Sequence, residues 1–86
     1  MDVDEILYGV LAEGVGRYLD GVDRLAAAAP EAAGAELRRL SAAWRALLGL
    51  HRPAGTRHRC SGCAGRAAIC TVWRVASAYF LRRIRA

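Results

Sequence analysis

Residues 51–70 read HRPAGTRHRCSGCAGRAAIC, from His51 to Cys70. This stretch holds every cysteine of the chain, both histidines and the second of its two prolines. Helical periodicity runs up to it and resumes after it. It decides the fold, because whatever its ligand-type side chains hold also fixes how the flanking helices dock.

Cys60-Ser61-Gly62-Cys63 is a C-x-x-C turn. Such a turn sets two thiolates on one side of a tight bend, and Gly62 is expected to supply the conformational freedom the bend needs. Cys70 follows at the expected start of a helix, where the positive end of the dipole favours the thiolate, the form that binds metal. Structural zinc sites are almost always four-coordinate, so three sulfurs call for a fourth ligand. His51 is the preferred one, since it ends a helix that packs against the others. His58 competes, but it lies two residues from Cys60 and between arginines, a tight span for joint ligation. The expected ligand set is His51, Cys60, Cys63 and Cys70, holding a structural Zn²⁺. An iron–sulfur cluster and a metal-free thiol switch or disulfide are the alternatives. Three thiolates, one neutral imidazole and Zn²⁺ leave a charge of about −1, which Arg57, Arg59 and Arg66 are placed to offset.

Working outward, residues 31–51 give the cleanest helical pattern, with Ala33, Leu37, Leu40, Trp44, Leu47/Leu48 and His51 on one face. Gly49 and Pro53 close this helix, and Arg52, preceding proline, is pushed out of helical geometry. Upstream, residues 3–29 place Val3, Leu7, Val10/Leu11, Gly14, Tyr18, Val22, Leu25 and Ala29 on a stripe at steps of three and four. Asp2 or Asp4 is suited to cap its start, and Pro30 separates it from the next helix by a connection short enough to make the two antiparallel. Gly9, Gly14, Gly16 and Gly21 each cost about 1 kcal/mol against alanine in a helix interior, so packing must sustain this helix. Gly14 and Gly21, on or beside the stripe, are the expected points of close helix approach. Downstream, residues 69–84 form a third helix with Ile69, Val72/Trp73, Ala76, Tyr79/Phe80 and Ile84 apolar. The expectation is one all-α domain over residues 1–86: three helices, with a metal-binding, zinc-finger-like loop between the second and third.

A chain of 86 residues lies near the small end of what a hydrophobic core supports alone, and a metal or partner staple suits it. All thirteen basic residues are arginine. With abundant alanine this bias suits a GC-rich genome, so the arginine count by itself is weak evidence for nucleic-acid binding. Residues 1–30 carry a net charge of −4 and residues 31–86 a net +9. That asymmetry fits an acidic partner for the C-terminal half, or attraction between the two halves. No run of eighteen apolar residues and no basic leader occur, and with the odd cysteine count this predicts a reduced, cytoplasmic setting.

His51-Arg52-Pro53, then Cys60-Ser61-Gly62-Cys63, then Cys70-Thr71-Val72-Trp73 resembles a group of uncharacterised small proteins of actinobacteria and their phages. The likeness spans about residues 44–81. Many members have Trp-Pro just before the last cysteine, where this chain has Ala68-Ile69. The resemblance implies His51 rather than His58 as ligand and an actinobacterial source, and it implies no activity.

No phosphate loop, H-E-x-x-H or G-x-S-x-G is present, and a zinc closed by four protein ligands offers no catalytic position. The expectation is a non-enzymatic regulatory interaction module, homodimeric through the first helix, whose stripe is longer than a short third helix can cover. Two alternatives remain. One is a nucleic-acid-binding regulator using Arg74, Arg82, Arg83 and Arg85; the other is a zinc/thiol redox switch.

Overall fold

The computed structural model describes residues 3–54, 59–63 and 69–81. Helix α1 spans Val3–Ala28, α2 spans Glu31–Gly49 and α3 spans Thr71–Phe80. A two-residue ribbon, β1 (Pro53–Ala54) and β2 (Arg59–Cys60), lies between α2 and α3. The chain is the all-α, three-helix fold expected from its periodicity, with a His/Cys cluster in the loop after α2.

Each boundary has a local cause. Asp4 and Glu5 sit in the first turn of α1, at the positive end of its dipole. Pro30 is the cap of α2 rather than its first helical residue: its φ of −52° and ψ of 147° are extended, and its carbonyl takes the first helical bond from the Gly34 N–H at 2.8 Å. The second helix stops two residues short of His51. Leu50 caps it, with its N–H shared between the Ala46 and Leu47 carbonyls. The third helix starts at Thr71 instead of Ile69 and ends at Phe80, with Cys70 as its extended cap. Its expected continuation to residue 84 lies largely outside the described residues.

The three helices share one core. Val15, Leu19, Leu48, Cys60, Cys70, Trp73 and Ala76 are buried together, with Tyr8, Leu11, Ala12, Trp44 and Phe80 packed around them. Tyr8 meets Trp73 edge-on at 5.0 Å between ring centres, and Tyr18 stacks on Phe80 at 4.6 Å. Both contacts pair the start of α1 with the start of α3 and its middle with the end of α3, so these helices run in the same sense. Arg45 of α2 donates to Asp20 at 2.8 Å and Asp23 at 3.0 Å on α1. The attraction between the acidic and basic halves is realised in this pair of contacts.

The apolar stripe read from the sequence of α1 faces the core only along one edge, where Leu11 and Val22 are partly buried and Tyr18 stacks on Phe80. Val15, Leu19 and Ala26 are buried, and the partly buried Tyr8, Leu11, Ala12 and Val22 lie beside them, whereas Val3, Leu7, Val10 and Leu25 are exposed. At 100° per residue the centres of the two sets stand about a third of a turn apart on the helix. The cause is that α1 is apolar over much of its circumference, so spacing allows either stripe and the packing of α2 and α3 selects one. The close approach of α1 and α2 likewise occurs at Gly34, where a Cβ would stand 2.5 Å from the Ala26 carbonyl oxygen. Gly14 receives the Leu81 side chain instead, and Gly21 meets only the Arg24 side chain.

Candidate metal centre

The ribbon and the end of α2 bring the ligands together. Antiparallel pairing sets Pro53 opposite Cys60 and Ala54 opposite Arg59. The Ser61 N–H donates to the Arg52 carbonyl at 2.8 Å, extending the pairing by one bond. Cys60 is thereby held beside the chain leaving α2, next to His51. Sequence periodicity reads this segment only as loop. Two residues per strand are too short for an alternating pattern, and Pro53, which lacks an N–H, marks an edge position.

His51, Cys60, Cys63 and Cys70 each offer one ligand atom, and these four atoms lie within 4.8 Å of one another. The His51 Nδ1 stands 3.1 Å from the Cys63 sulfur, 3.4 Å from that of Cys60 and 3.7 Å from that of Cys70. Zinc–nitrogen bonds of about 2.05 Å and zinc–sulfur bonds of about 2.3 Å at the tetrahedral angle separate N from S by about 3.6 Å. The three observed distances straddle that value. One histidine nitrogen and three sulfurs are thus arranged as the corners around a single small ion. Cys60 and Cys70 belong to the buried core, while His51 and Cys63 are half-buried.

Around these ligands the structure places supports that the sequence does not announce. Gly62 packs on the Leu50 carbonyl and on the His51 ring, leaving no room for a Cβ. Its backbone is not in the left-handed region, so the glycine is required for space rather than for an unusual φ. The Trp73 indole N–H donates to the His51 main-chain carbonyl, and the Cys70 carbonyl accepts the Arg74 N–H at 3.0 Å in the first turn of α3. Trp73 reads as an apolar core position in the sequence. The available hint is its place three residues after Cys70, which turns the indole back toward the ligands.

The thiols are unequal. The Cys60 sulfur, together with burial, pushes the Cys63 thiol up to about 11. Burial opposes ionisation of Cys70, but the backbone N–H groups of Trp73 and Val72 and the Cys60 sulfur outweigh it and leave its pKa below the ordinary thiol value. The expectation from the helix dipole at Cys70 therefore has its local counterpart in N–H groups of the first turn of α3.

The remaining expected site residues fall elsewhere. Arg74 is exposed on α3. Arg82, Arg83, Arg85, His58, Arg57 and Arg66 lie outside the described residues. No described helix is long and apolar enough to cross a membrane. No protein-family model, curated protein or solved structure matches this chain.

Proposed function

We propose that the chain is a zinc-stapled helical interaction module without catalytic activity, acting as a homodimer through α1. The observation that carries the zinc reading is the compactness of the four ligand atoms, all within 4.8 Å of one another. An iron–sulfur cluster spreads its thiolates over several irons and holds them farther apart than ligands on one ion, so a mononuclear centre fits better. Zinc suits a Cys₃His set, and four protein ligands fill its tetrahedron and leave no site for water or substrate. Its role is then to join the end of α2, the ribbon and the start of α3.

The dimer reading rests on the α1 face that the core does not use. Val3 is 75% exposed, Val10 61%, Ile6 49% and Leu7 44%, an apolar surface along the first two turns and beyond. Burying it against a second copy offsets the cost of exposing apolar area to water.

Elemental analysis of protein purified without added metal, beside a His51→Ala variant, tests the centre. One zinc per chain, lost in the variant with loosening of α3, is the expected result. Iron with visible absorption, or no metal with freely titrating thiols, would overturn it. Light scattering across a concentration series tests the dimer. A strict monomer at high concentration, or a dimer indifferent to Val10→Glu, would sink that part alone.

A further inference from the structure

A cleft of about 330 Å³ opens between α1 and α2, with Trp73 of α3 also lining it. Val15, Leu19, Leu48 and Trp73 form its floor, and Arg45 and Arg52 stand among the residues that line it. This size lies at the lower end of the range for small-molecule sites, which combine apolar walls with a few polar groups.

Two features make the cleft more than a gap between helices. Gly16 on α1 and Gly49 on α2 both line it, and a Cβ at either would meet nothing within 4 Å. The space is kept open from both sides by missing side chains, at positions where backbone conformation requires no glycine. The second feature is charge. Arg45 is committed to Asp20 and Asp23, at 2.8 Å and 3.0 Å. Arg52 is exposed and, among the described residues, has no carboxylate at ion-pair distance. A planar guanidinium with free N–H donors beside an apolar trough matches a carboxylate carrying an apolar body.

We infer that this cleft binds a small monocarboxylate with an apolar chain or ring, its carboxylate on Arg52 and its body over Leu48 and Trp73. The two carboxylates around Arg45 set the polarity of binding: they disfavour the anionic end there and direct it to Arg52. The cleft goes beyond the zinc reading but adjoins the ligands: the Trp73 indole is tied to the His51 carbonyl, the Leu48 carbonyl accepts the His51 N–H at 3.1 Å, and the Arg52 carbonyl accepts the Ser61 N–H at 2.8 Å.

The test is titration of the zinc-loaded protein with octanoate and, in parallel, with its neutral amide, octanamide. The readout is the indole N–H resonance of Trp73 in nitrogen-15 spectra. Octanoate is expected to shift that resonance saturably, with a dissociation constant of roughly millimolar or tighter. Arg52→Gln is expected to weaken octanoate binding by about tenfold and leave the amide unchanged, the loss of one charge-assisted contact. Gly16→Leu, which fills the cleft, is expected to abolish both. Equal binding of acid and amide, indifference to Arg52→Gln, or no saturable shift up to about 10 mM ligand would overturn the assignment. Zinc content is measured on the same samples. A protein that holds zinc and ignores octanoate refutes the cleft alone, and one that lacks zinc yet binds octanoate refutes the metal reading alone.

Discussion

Gly62 packs closely against the His51 ring: a Cβ added to it would stand 3.1 Å from both Cε1 and Nδ1 of that imidazole. The same Cβ would collide with the Leu50 carbonyl. Gly62→Ala must therefore push the C-x-x-C turn away from the end of α2. The expected result is a loss of about 10–100-fold in zinc affinity, the usual range when a group that orients a ligand is disturbed. Competition against a chromophoric chelator reads this directly. Wild-type affinity in the variant would mean that the turn does not pack on His51.

Trp73 ties the site to the core by a different route. Its indole packs on Tyr8 and donates to the His51 carbonyl. Trp73→Phe keeps an aromatic ring in the core but leaves that carbonyl without its donor. The folded state is expected to lose about 1–3 kcal/mol in chemical denaturation, the cost of a buried polar group left unpaired. Zinc is expected to leave the variant faster in a chelator-exchange assay. Unchanged exchange with lowered stability would confine the indole to packing.

The thiol pKa values dictate how metal binding depends on pH. With the Cys63 thiol held up at about 11, it keeps its proton at neutral pH in the metal-free chain, and zinc must displace that proton. Apparent zinc affinity is expected to rise with pH, by at least about tenfold per unit through the neutral range. The metal-free fold responds in the opposite sense. A pKa raised from 9.0 to about 11 stabilises that fold below pH 9 and withdraws the contribution as pH climbs toward 11. Calorimetry in buffers of different ionisation enthalpy counts the protons released. Zinc binding without proton release would contradict the arrangement of sulfurs described above.

Two glycines separate helix propensity from helix packing. Gly34→Ala gains about 1 kcal/mol of helix propensity but sets a Cβ 2.5 Å from the Ala26 carbonyl oxygen. The clash is expected to win, with a net loss of about 1–2 kcal/mol and a separation of α1 from α2. Gly9→Ala meets nothing within 4 Å and is expected to stabilise by up to about 1 kcal/mol. Thermal melts of the two variants should move in opposite directions.

The contrast between those glycines also marks what the sequence could reveal. Ligand chemistry was legible because histidine and cysteine are few and concentrated: His51, Cys60, Cys63 and Cys70 are singled out by residue type and C-x-x-C spacing, and the fold brings these same four together. Helix positions were legible too, because apolar spacing and Pro30, Gly49 and Pro53 punctuate the chain. The working face of α1 was legible only in part, through Leu11, Tyr18 and Val22. Val3, Leu7 and Val10 satisfy helical periodicity as well as Tyr8, Ala12 and Val15 do, yet the former are exposed and the latter line the core. The C-x-x-C turn suggests backbone freedom as the need for Gly62, and the structure requires it for room instead.

The sequence by itself determined which atoms are available to hold a metal and roughly where three helices begin and end. These are local properties, set by side-chain chemistry and by steric rules a few residues long. Only the tertiary structure decided that His51 presents Nδ1 to the sulfurs, that Trp73 secures the His51 carbonyl, and that Gly34 rather than Gly21 admits a neighbouring helix. Those outcomes depend on contacts between residues eight or more positions apart in the chain, such as Gly34 with Ala26 and Trp73 with His51. Such contacts form when three amphipathic helices compete for one small core, and the competition has no signature in the periodicity of any one of them.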